Sequence, residues 1–226
     1  YNPGPYLDEA IRSCLSQSYS NYTITVIDDC SSQDLKPIVS RYASVRYIRN
    51  DRNMGPAFSR NVGISDTSGE LISFLDADDV WDQNKLLYSV REFKNNEDVG
   101  MTCGNYRIMS RGRLHPPFYK RAMEIDYKML FRNNYVASGS VTLRREVVED
   151  VGTFNDEYWI AEDYDMWLRV SEKYPVRYIH KVLYYYRVMG VGTSLTQRAD
   201  IQSNHLENLS LIRADSKKRV EHLEQN

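Results

Sequence analysis

Two clusters of acidic residues stand where carboxylates could do chemistry. Asp28 and Asp29 directly follow the apolar segment 23–27, and the acids of residues 76–79 (DADD) directly follow the apolar segment 71–75. Neighbouring carboxylates without adjacent Lys or Arg repel one another unless a cation lies between them. An Asp-x-Asp pattern suits Mg²⁺ or Mn²⁺, which take oxygen ligands and also bind diphosphate oxygens. Either cluster alone could cap a helix or form a turn, but two clusters after two apolar segments favour a binding site.

The apolar segments before these acids have the pattern of buried strands and alternate with helices. We predict strands at residues 23–27, 45–49 and 71–75, and helices at residues 6–17, 34–42, 57–62 and 83–94. This alternation indicates parallel pairing and an α/β sheet covered by helices on both faces. Because ligands bind such sheets at the carboxyl ends of the strands, both acidic clusters are expected at one edge.

After residue 99 the alternation stops and the elements become shorter. We predict a strand over residues 99–109, an irregular stretch to residue 117, helices at 126–131, 145–151 and 162–172, and strands at 176–179 and 183–186. Residues 188–196 contain Gly and Ser without an apolar period, so we expect a mobile loop there. The segment from residue 200 predicts an amphipathic helix with the apolar stripe Ile201, Leu206, Leu209 and Ile212.

The composition excludes several classes of protein. The formal net charge is −2, which argues against a protein that holds nucleic acid through phosphate contacts. A hydrophobic fraction of 42% with 27% charged residues is ordinary for a globular chain. Three cysteines without a Cys-x-x-Cys motif support neither a disulfide framework nor a zinc site. No apolar run is long enough to predict a membrane span, and no signal peptide is expected.

Seven short motifs resemble those of inverting family-two glycosyltransferases of the GT-A fold, and they occur in the same order. They are residues 1–2 (YN), 26–31 (VIDDCS), 53–55 (NMG) with Ala57, 60–63 (RNVG), 69–79 (GELISFLDADD), 151–154 (VGTF) and 162–169 (EDYDMWLR). Each motif alone is weak, but seven in register indicate the family. The resemblance spans the chain to about residue 187.

The resemblance implies an α/β, Rossmann-like GT-A fold: a central, mostly parallel sheet flanked by helices, a smaller acceptor-side subregion and a C-terminal helix. It divides the chain into a glycosyltransferase domain over residues 1–199 and a helical tail over residues 200–226. Within the domain, residues 1–98 form the nucleotide-binding half and residues 99–199 the acceptor-binding half.

Site roles on the donor side follow from the same resemblance. Tyr1 is expected to stack on the base of the donor, and Asp29 to accept the imide N–H of uracil, which favours a UDP-sugar. Arg60 is expected near the nucleotide, although a surface arginine on a helix is equally consistent with its place. Asp76 would contact the ribose or the water shell of the metal. Asp78 would bind a Mn²⁺ or Mg²⁺ ion that neutralises charge on the leaving diphosphate.

On the acceptor side, Asp163 aligns with the general base of the family, which deprotonates the acceptor hydroxyl as it attacks C1 of the sugar. Glu162 is its competitor for this role, and Glu162 and Trp159 are expected beside the acceptor. The alternative for both acids is that they complement the dipole of the helix that begins there.

The sequence departs from the family pattern in two places. Many relatives carry a His ligand for the metal where this chain has Met189, and a thioether binds Mg²⁺ or Mn²⁺ poorly, so weaker metal binding is expected. The chain also opens on the turn at residues 1–5, whereas an α/β unit normally begins with a strand. We therefore expect a strand ahead of Tyr1 in the natural protein.

Two other functions compete with an inverting, metal-dependent glycosyltransferase. A nucleotidyltransferase of nucleotide-sugar metabolism shares a similar fold, but residues 1–5 do not resemble its Gly-rich phosphate loop. A catalytically silent sugar-binding module would not need Asp29, Asp78 and Asp163 together. The expected partners are a nucleotide-sugar and a saccharide or lipid-linked acceptor of surface polysaccharide or glycan synthesis, with no nucleic acid. The expected location is the cytoplasm, at the periphery of the inner face of the membrane.

Overall fold

A computed structural model describes residues 1–188 and 199–225 of this protein. In the last helix, side chains are described for residues 205–223 and 225. The strands are β1 (Ile24–Asp28), β2 (Val45–Arg49), β3 (Leu71–Ser73), β4 (Val80–Trp81), β5 (Met101–Ser110), β6 (Arg113–Pro117), β7 (Thr142–Arg144) and β8 (Val176–Val188). The helices are α1 (Leu7–Leu15), α2 (Lys36–Val39), α3 (Gly55–Asp66), α4 (Lys85–Asn95), α5 (Tyr127–Arg132), α6 (Arg145–Val151), α7 (Glu162–Lys173) and α8 (Ala199–Gln225). Short 3₁₀ helices lie at Gly4–Tyr6 and Ser138–Ser140.

The strands form a pair and a larger mixed sheet. β1 and β2 pair in parallel, with Ile24 opposite Val45. The larger sheet has the order β3-β7-β5-β8-β4, with β6 on the outer part of β5. Pairing is parallel between β5 and β8 and antiparallel at the other contacts of this sheet. The predicted α/β class is found, but fewer strand pairs are parallel than expected. The strand β7, which follows α5, runs antiparallel to both of its neighbours, β3 and β5.

Two segments differ from their predicted structure. Residues 113–117, predicted as irregular because of two prolines, form the edge strand β6, where a missing N–H on the outer side costs no ladder hydrogen bond. The two short strands predicted around residue 181 form the single strand β8. Its ladder with β5 continues through register shifts between Gly104 and Tyr106.

The hydrophobic core consists of a larger part, a smaller part and a third part around Trp81, Leu86 and Tyr184. The smaller part packs Leu7 and Ile11 of α1 against Leu35 and Val39 beneath the β1–β2 pair. The larger part centres on Trp167 of α7, whose side chain is fully buried, and includes fully buried residues of β5, β7 and α7. This packing fixes the position of α7, and the first turn of α7 carries two of the predicted site residues.

The C-terminal helix α8 docks on α7 and α5. Arg219 forms a bidentate ion pair with Glu172 of α7, at 2.8 and 2.9 Å. Ile212 is fully buried and Leu209 packs against the larger core, as the apolar stripe predicts. The prediction is wrong for Leu206, which is 71% exposed because the helix contacts the domain with a narrower face. The side chain of Ile201 lies outside the described residues.

Two further predictions concern residues that the structure does not describe. The predicted loop at residues 188–196 lies outside the described ranges except for Val188, which ends β8. Met189 likewise lies outside them. In the described part of the chain, every helix is too short or too polar to cross a membrane.

Candidate functional site

The second acidic cluster, residues 76–79, lies in the turn between β3 and β4. The backbone N–H of Asp79 donates to the carbonyl of Asp76 at 3.0 Å, which closes the turn. Arg187, near the end of β8, fastens the turn from the other side. Its backbone N–H donates to Oδ1 of Asp79 and its Nε donates to the carbonyl of Asp78, both at 2.7 Å. The positions of these acids are therefore set by β8 as well as by β3.

The carboxylates of this turn receive little compensating charge. Burial raises the pKa of Asp78, and the charge of Asp76 raises it further. Burial and then the charge of Asp76 also raise the pKa of Asp79 to about 9. The guanidinium of Arg187 directs its outer nitrogen to Glu9 at 2.6 Å. Within the described ranges, no hydrogen bond joins the carboxylate of Asp78 to another residue.

Arg60 of α3 connects this turn to the beginning of α7. Its guanidinium lies 3.2 Å from Asp76 and 2.5 Å from Glu162, and it packs over the ring of Phe154 at 5.5 Å. Burial opposes the charge of Arg60, but the carboxylates of Asp76, Glu162 and Asp163 outweigh this and raise its pKa. One buried cation thus links carboxylates from two halves of the chain.

Glu162 is the buried member of the acidic pair on α7. The helix begins after Ala161, whose φ of 67° places it in the left-handed region and turns the chain sharply into α7. Glu162 is 7% exposed. Burial raises its pKa to about 7, and the charge of Asp163 adds to this while Arg60 opposes it. Glu162 is therefore paired with Arg60 and buried away from solvent.

Asp163 is the accessible member of the same pair. Its side chain is half-buried. Oδ2 accepts a hydrogen bond from the hydroxyl of Ser138 at 2.5 Å, and Oδ1 accepts one from the backbone N–H of Tyr164 at 2.7 Å. These two bonds hold the carboxylate in one orientation and leave further lone pairs for an incoming hydroxyl.

The first acidic pair has a different environment. Asp28 is buried, and its carboxylate accepts hydrogen bonds from the hydroxyl of Tyr47 at 2.7 Å and the backbone N–H of Ser31 at 2.9 Å. The guanidinium of Arg49 contacts the same carboxylate. Burial opposes ionisation, but these hydrogen bonds outweigh it, so the pKa of Asp28 lies below its ordinary value. Asp28 is therefore a structural carboxylate.

Asp29 connects the end of β1 to the start of α3. Its Oδ1 accepts hydrogen bonds from the side chain of Asn50 at 2.8 Å and the backbone N–H of Met54 at 2.9 Å. Its Oδ2 accepts one from the backbone N–H of Gly55 at 2.8 Å. Since a carboxylate has about four acceptor positions, one position on Oδ2 is left for a ligand.

Two aromatic residues flank this region. Tyr1 is 61% exposed, and the next residue, Asn2, donates its backbone N–H to the hydroxyl of Ser31 at 2.8 Å. Tyr1 thus lies next to the turn that follows β1. Trp159 is 45% exposed and lies over Gly55, where a Cβ would come within 3.1 Å of the indole ring. Trp159 therefore covers the start of α3.

The structure brings most of the predicted site residues together. Contacts and electrostatic coupling join one group, which consists of Asp76, Asp78, Arg60, Glu162 and Asp163. Asp29 and Trp159 meet at Gly55, on the start of the helix that carries Arg60. Tyr1 is adjacent to the first acidic turn, and no hydrogen bond or ring contact among the described residues joins its side chain to this group.

Two residues that contact the site carry no predicted role. Arg187 lies at the end of the segment that resembles the family and in none of its motifs, although it holds the acidic turn in place. Ser138, which donates to Asp163, lies in a segment of small residues without a family motif. The glycine next to Ser138 is the one sequence signal for this contact. A Cβ on Gly139 would come within 2.7 Å of the ring of Tyr184, so this segment packs closely against β8.

The described part of the chain holds no cluster of three or more His, Cys, Asp or Glu side chains that could hold a metal on its own. Asp78 still fits a metal ligand, because burial and the charge of Asp76 both penalise its ionised form. A divalent cation would remove both penalties. Asp78 therefore suits a hard cation that takes its remaining oxygens from a diphosphate and water. The predicted weakening by Met189 stays a prediction.

The sequence model of glycosyl transferase family 2 matches residues 1–152. An uncharacterised glycosyltransferase of Haemophilus influenzae is 30% identical over 200 residues, which are 86% of this chain and 78% of the relative. The Escherichia coli UDP-Glc:alpha-D-GlcNAc-diphosphoundecaprenol beta-1,3-glucosyltransferase WfaP is 29% identical over 216 residues, which are 93% of this chain and 84% of the relative.

Solved structures show the same fold. S. aureus TarS, residues 1–349 in complex with UDP, superposes with a TM-score of 0.71 and 23% identity over 83% of this chain. The mannosyltransferase PcManGT from Pyrobaculum calidifontis, in complex with GDP-Man and Mn²⁺, superposes with a TM-score of 0.62 and 18% identity over 82% of this chain. This chain spans 58% and 54% of those two chains.

These matches confirm the predicted resemblance and the predicted GT-A fold class. They assign no role to an individual residue. The roles given to Tyr1, Asp29 and Arg60 on the donor side therefore stay predictions, and so do those of the other site residues. The division of the chain at residues 98 and 199 likewise stays a prediction.

Proposed function

Because this chain belongs to glycosyl transferase family 2 and is a glycosyltransferase, we propose that it transfers a sugar from a UDP-sugar to a hydroxyl, with inversion at C1. The proposed acceptor is a saccharide or a lipid-linked saccharide of surface polysaccharide or glycan synthesis. Two similar proteins support these choices, since WfaP is named for UDP-Glc and a diphosphoundecaprenol acceptor and TarS was solved with UDP.

One observation carries this proposal. Arg60 links the acidic turn at residues 76–79, through its ion pair with Asp76, to the start of α7, where it pairs with Glu162 and its charge couples to the half-buried carboxylate of Asp163. The first group suits the charged leaving diphosphate, and the second suits a base for an acceptor hydroxyl. An inverting transfer needs these two functions on opposite sides of the reacting sugar.

For the donor, we propose that Asp29 and Tyr1 hold the base. The free acceptor position on Oδ2 of Asp29 would take the imide N–H of uracil, because Asn50, Met54 and Gly55 occupy the others. Tyr1 would stack on one face of the ring. The three hydrogen bonds to Asp29 hold its carboxylate in place for this contact.

For the diphosphate, we propose that Asp78 binds Mn²⁺ or Mg²⁺ directly, with Asp76 at the ribose or the outer water shell. The bound ion would supply Lewis-acid neutralisation of the leaving group. Arg60 would keep Asp76 oriented, because its guanidinium lies 3.2 Å from that carboxylate. Arg187 would hold the turn at a fixed distance from the donor through its bonds to Asp78 and Asp79.

For the acceptor, we propose that Asp163 is the general base and Glu162 a positioning residue. Ser138 and the N–H of Tyr164 keep Asp163 oriented. Glu162 is bound by Arg60 and buried, so it cannot reach an acceptor hydroxyl without breaking that ion pair. Trp159 would form part of the wall on which the acceptor rests.

We further propose that residues 1–98 bind the nucleotide, that residues 99–199 bind the acceptor, and that α8 forms a tail on the acceptor half. The proposed location is the cytoplasm, at the periphery of the inner face of the membrane, where a lipid-linked acceptor would lie.

The experiment compares two matched variants in a transfer assay with UDP-sugars and a diphosphate-linked GlcNAc acceptor. Asp163→Asn keeps the shape and the hydrogen bond from Ser138 but removes the base. We expect transfer to fall by about 10² to 10⁴-fold, the usual contribution of a positioned proton transfer, while the Kd for UDP stays unchanged. Glu162→Gln keeps the reach to Arg60 and should retain more activity than Asp163→Asn.

The opposite ranking would show that Glu162 is the base. Equal, small losses in both variants would show that neither acid is the base. A fall in UDP affinity that matches the fall in transfer would place Asp163 on the donor side.

A further inference from the structure

The β5–β6 hairpin carries a charge pattern that the transfer reaction does not explain. Between Asp98 and Glu124 the chain contains no acidic residue. The same segment contains five cationic residues, which are Arg107, Arg111, Arg113, Lys120 and Arg121. In a chain whose net charge is −2, this segment, here called the basic hairpin (residues 107–121), is a local concentration of positive charge.

The cations of the basic hairpin are uncompensated. None of the five forms an ion pair with a residue in the ranges that the structure describes, and Arg107 donates instead to the backbone carbonyl of His115 at 2.6 Å. Every residue from 111 to 118 is exposed. Because β6 is an edge strand that pairs with β5 alone, the hairpin projects this charge into solvent.

Large apolar side chains are exposed among these cations. Leu114 is 45% exposed and Phe118 is 50% exposed. Phe118 is not a loose side chain, because its ring stacks on Tyr106 with a centroid distance of 4.6 Å. Cations beside ordered, exposed apolar groups are the composition of surfaces that bind the interface of an anionic membrane. A nucleic acid would pair with the charge but would leave the aliphatic side chain of Leu114 in water.

The basic hairpin is also continuous with the candidate site. The ring centroid of Tyr106, on which Phe118 stacks, lies 6.4 Å from the ring centroid of Tyr186 of β8. Tyr186 directly precedes Arg187, the residue that fastens the acidic turn. A surface bound at the hairpin would therefore lie on the same part of the protein as the proposed acceptor half.

From this surface we propose that the basic hairpin docks the enzyme on an anionic phospholipid bilayer. Arg111 and Arg113 contact lipid phosphates, and Leu114 and Phe118 enter the boundary between headgroups and acyl chains. The inference rests on the proposed function in one respect: a lipid-linked acceptor would lie in a bilayer, so the enzyme would have to bind there. The docking itself requires neither donor nor acceptor.

The test is vesicle flotation of the whole chain, with about 70% phosphatidylcholine and about 30% phosphatidylglycerol, against pure phosphatidylcholine. We expect binding to the anionic vesicles only. The double variant Arg111→Gln with Arg113→Gln should lower the partition coefficient about 30-fold, about fivefold for each cation lost. The matched control, Arg91→Gln with Lys94→Gln, removes the same charge from exposed positions on α4 and should change it less than about threefold.

Leu114→Ser tests the apolar contribution, and it alters an exposed side chain of an edge strand, so folding is expected to be retained. A weaker partition of Leu114→Ser into anionic vesicles supports docking with insertion. Equal losses in the hairpin pair and the α4 pair would overturn the proposal, as would equal binding to neutral vesicles. A wild-type dimer that the hairpin variant dissociates, seen by light scattering, would show that the surface binds a second copy instead.

Because the vesicles contain neither UDP-sugar nor acceptor, the two proposals fail separately. Loss of docking with transfer to a water-soluble acceptor intact would refute only the membrane surface. Intact docking with no transfer by the wild type would refute only the proposed function.

Discussion

The two acidic clusters look alike in the sequence and differ in the folded protein. Both follow an apolar strand, and both place adjacent carboxylates at its end. At the first cluster, hydrogen bonds and the guanidinium of Arg49 lower the pKa of Asp28. At the second, burial and mutual repulsion raise the pKa of Asp78 and Asp79. The first cluster is compensated from within the chain, whereas in the second Asp76 pairs with Arg60 and Asp78 is left for a cation from outside.

Asp28 is therefore a carboxylate that stabilises the fold, whereas Asp78 is one that is suited to bind a ligand. A strand end with aspartates predicts neither role by itself. The decisive feature is the set of donors that reach the carboxylate, and these come from elements distant in the sequence. Substitutions in the two clusters should therefore affect different measurements.

The largest expected effect comes from Asp78→Asn. Because Asp78 is the proposed direct ligand, we expect Mn²⁺-dependent affinity for UDP to fall by about 100-fold or more, measured by calorimetry. The free energy of unfolding should stay unchanged or rise, because the substitution removes a charge that burial and Asp76 both penalise. Asp51→Asn, an exposed aspartate outside both clusters, serves as the control. Wild-type UDP affinity in Asp78→Asn would remove the distinction between the clusters.

The next effect comes from Asp28→Asn and appears in stability. The substitution removes the charge that faces Arg49 and sets an amide N–H₂ against the donors on one side, which are either Ser31 at Oδ1 or Tyr47 and Arg49 at Oδ2. We expect a loss of about 2 to 4 kcal/mol in the free energy of unfolding, measured in urea. UDP affinity of the folded variant should change less than about threefold, well below the effect of a lost ligand. A large loss of UDP affinity at unchanged stability would contradict the structural role of Asp28.

The smallest effect concerns the pH dependence at Glu162, a buried carboxylate that does have a cation beside it. Burial raises its pKa in the folded state to about 7, from an ordinary value of 4.5. The folded protein then binds more protons than the unfolded chain between these values, so its stability falls as pH rises from 4.5 to about 7. Glutamine does not titrate, so Glu162→Gln should gain stability relative to the wild type over this range.

Urea unfolding of both proteins at several pH values checks this expectation. The difference between variant and wild type should grow up to about pH 7 and then level off. A difference that is constant with pH would mean that Arg60 fully compensates the burial of Glu162.

The sequence was sufficient for features that depend on local patterns. The strand at residues 45–49 and the helix at residues 145–151 have the predicted bounds, because apolar periodicity and turn residues delimit them. The family motifs place Asp78 and Asp163 in one site. In the structure Arg60 contacts Asp76, two residues before Asp78, and its charge couples to Asp163. Their separate roles remain predictions.

Features that depend on distant contacts could not be predicted in this way. Ser138 meets Asp163 across 25 residues, and Arg187 meets Asp79 across 108. Neither contact has a local signature. The strand β6 was missed because its prolines exclude a central strand but not an edge strand. Leu206 was misplaced because helical periodicity predicts an apolar face but not how far along the helix that face is covered.

The length of β8 has a consequence for how this chain tolerates insertions and deletions. Its 13 residues run without interruption from the larger core to Arg187, a span of about 40 Å. Adding or deleting one residue in β8 would shift each later side chain to the opposite face of the sheet and put another residue in the place of Arg187. The turn at Gly112 can change its length without this effect. Natural and engineered variation in length should therefore accumulate at the hairpin tip, while β8 keeps a constant residue count.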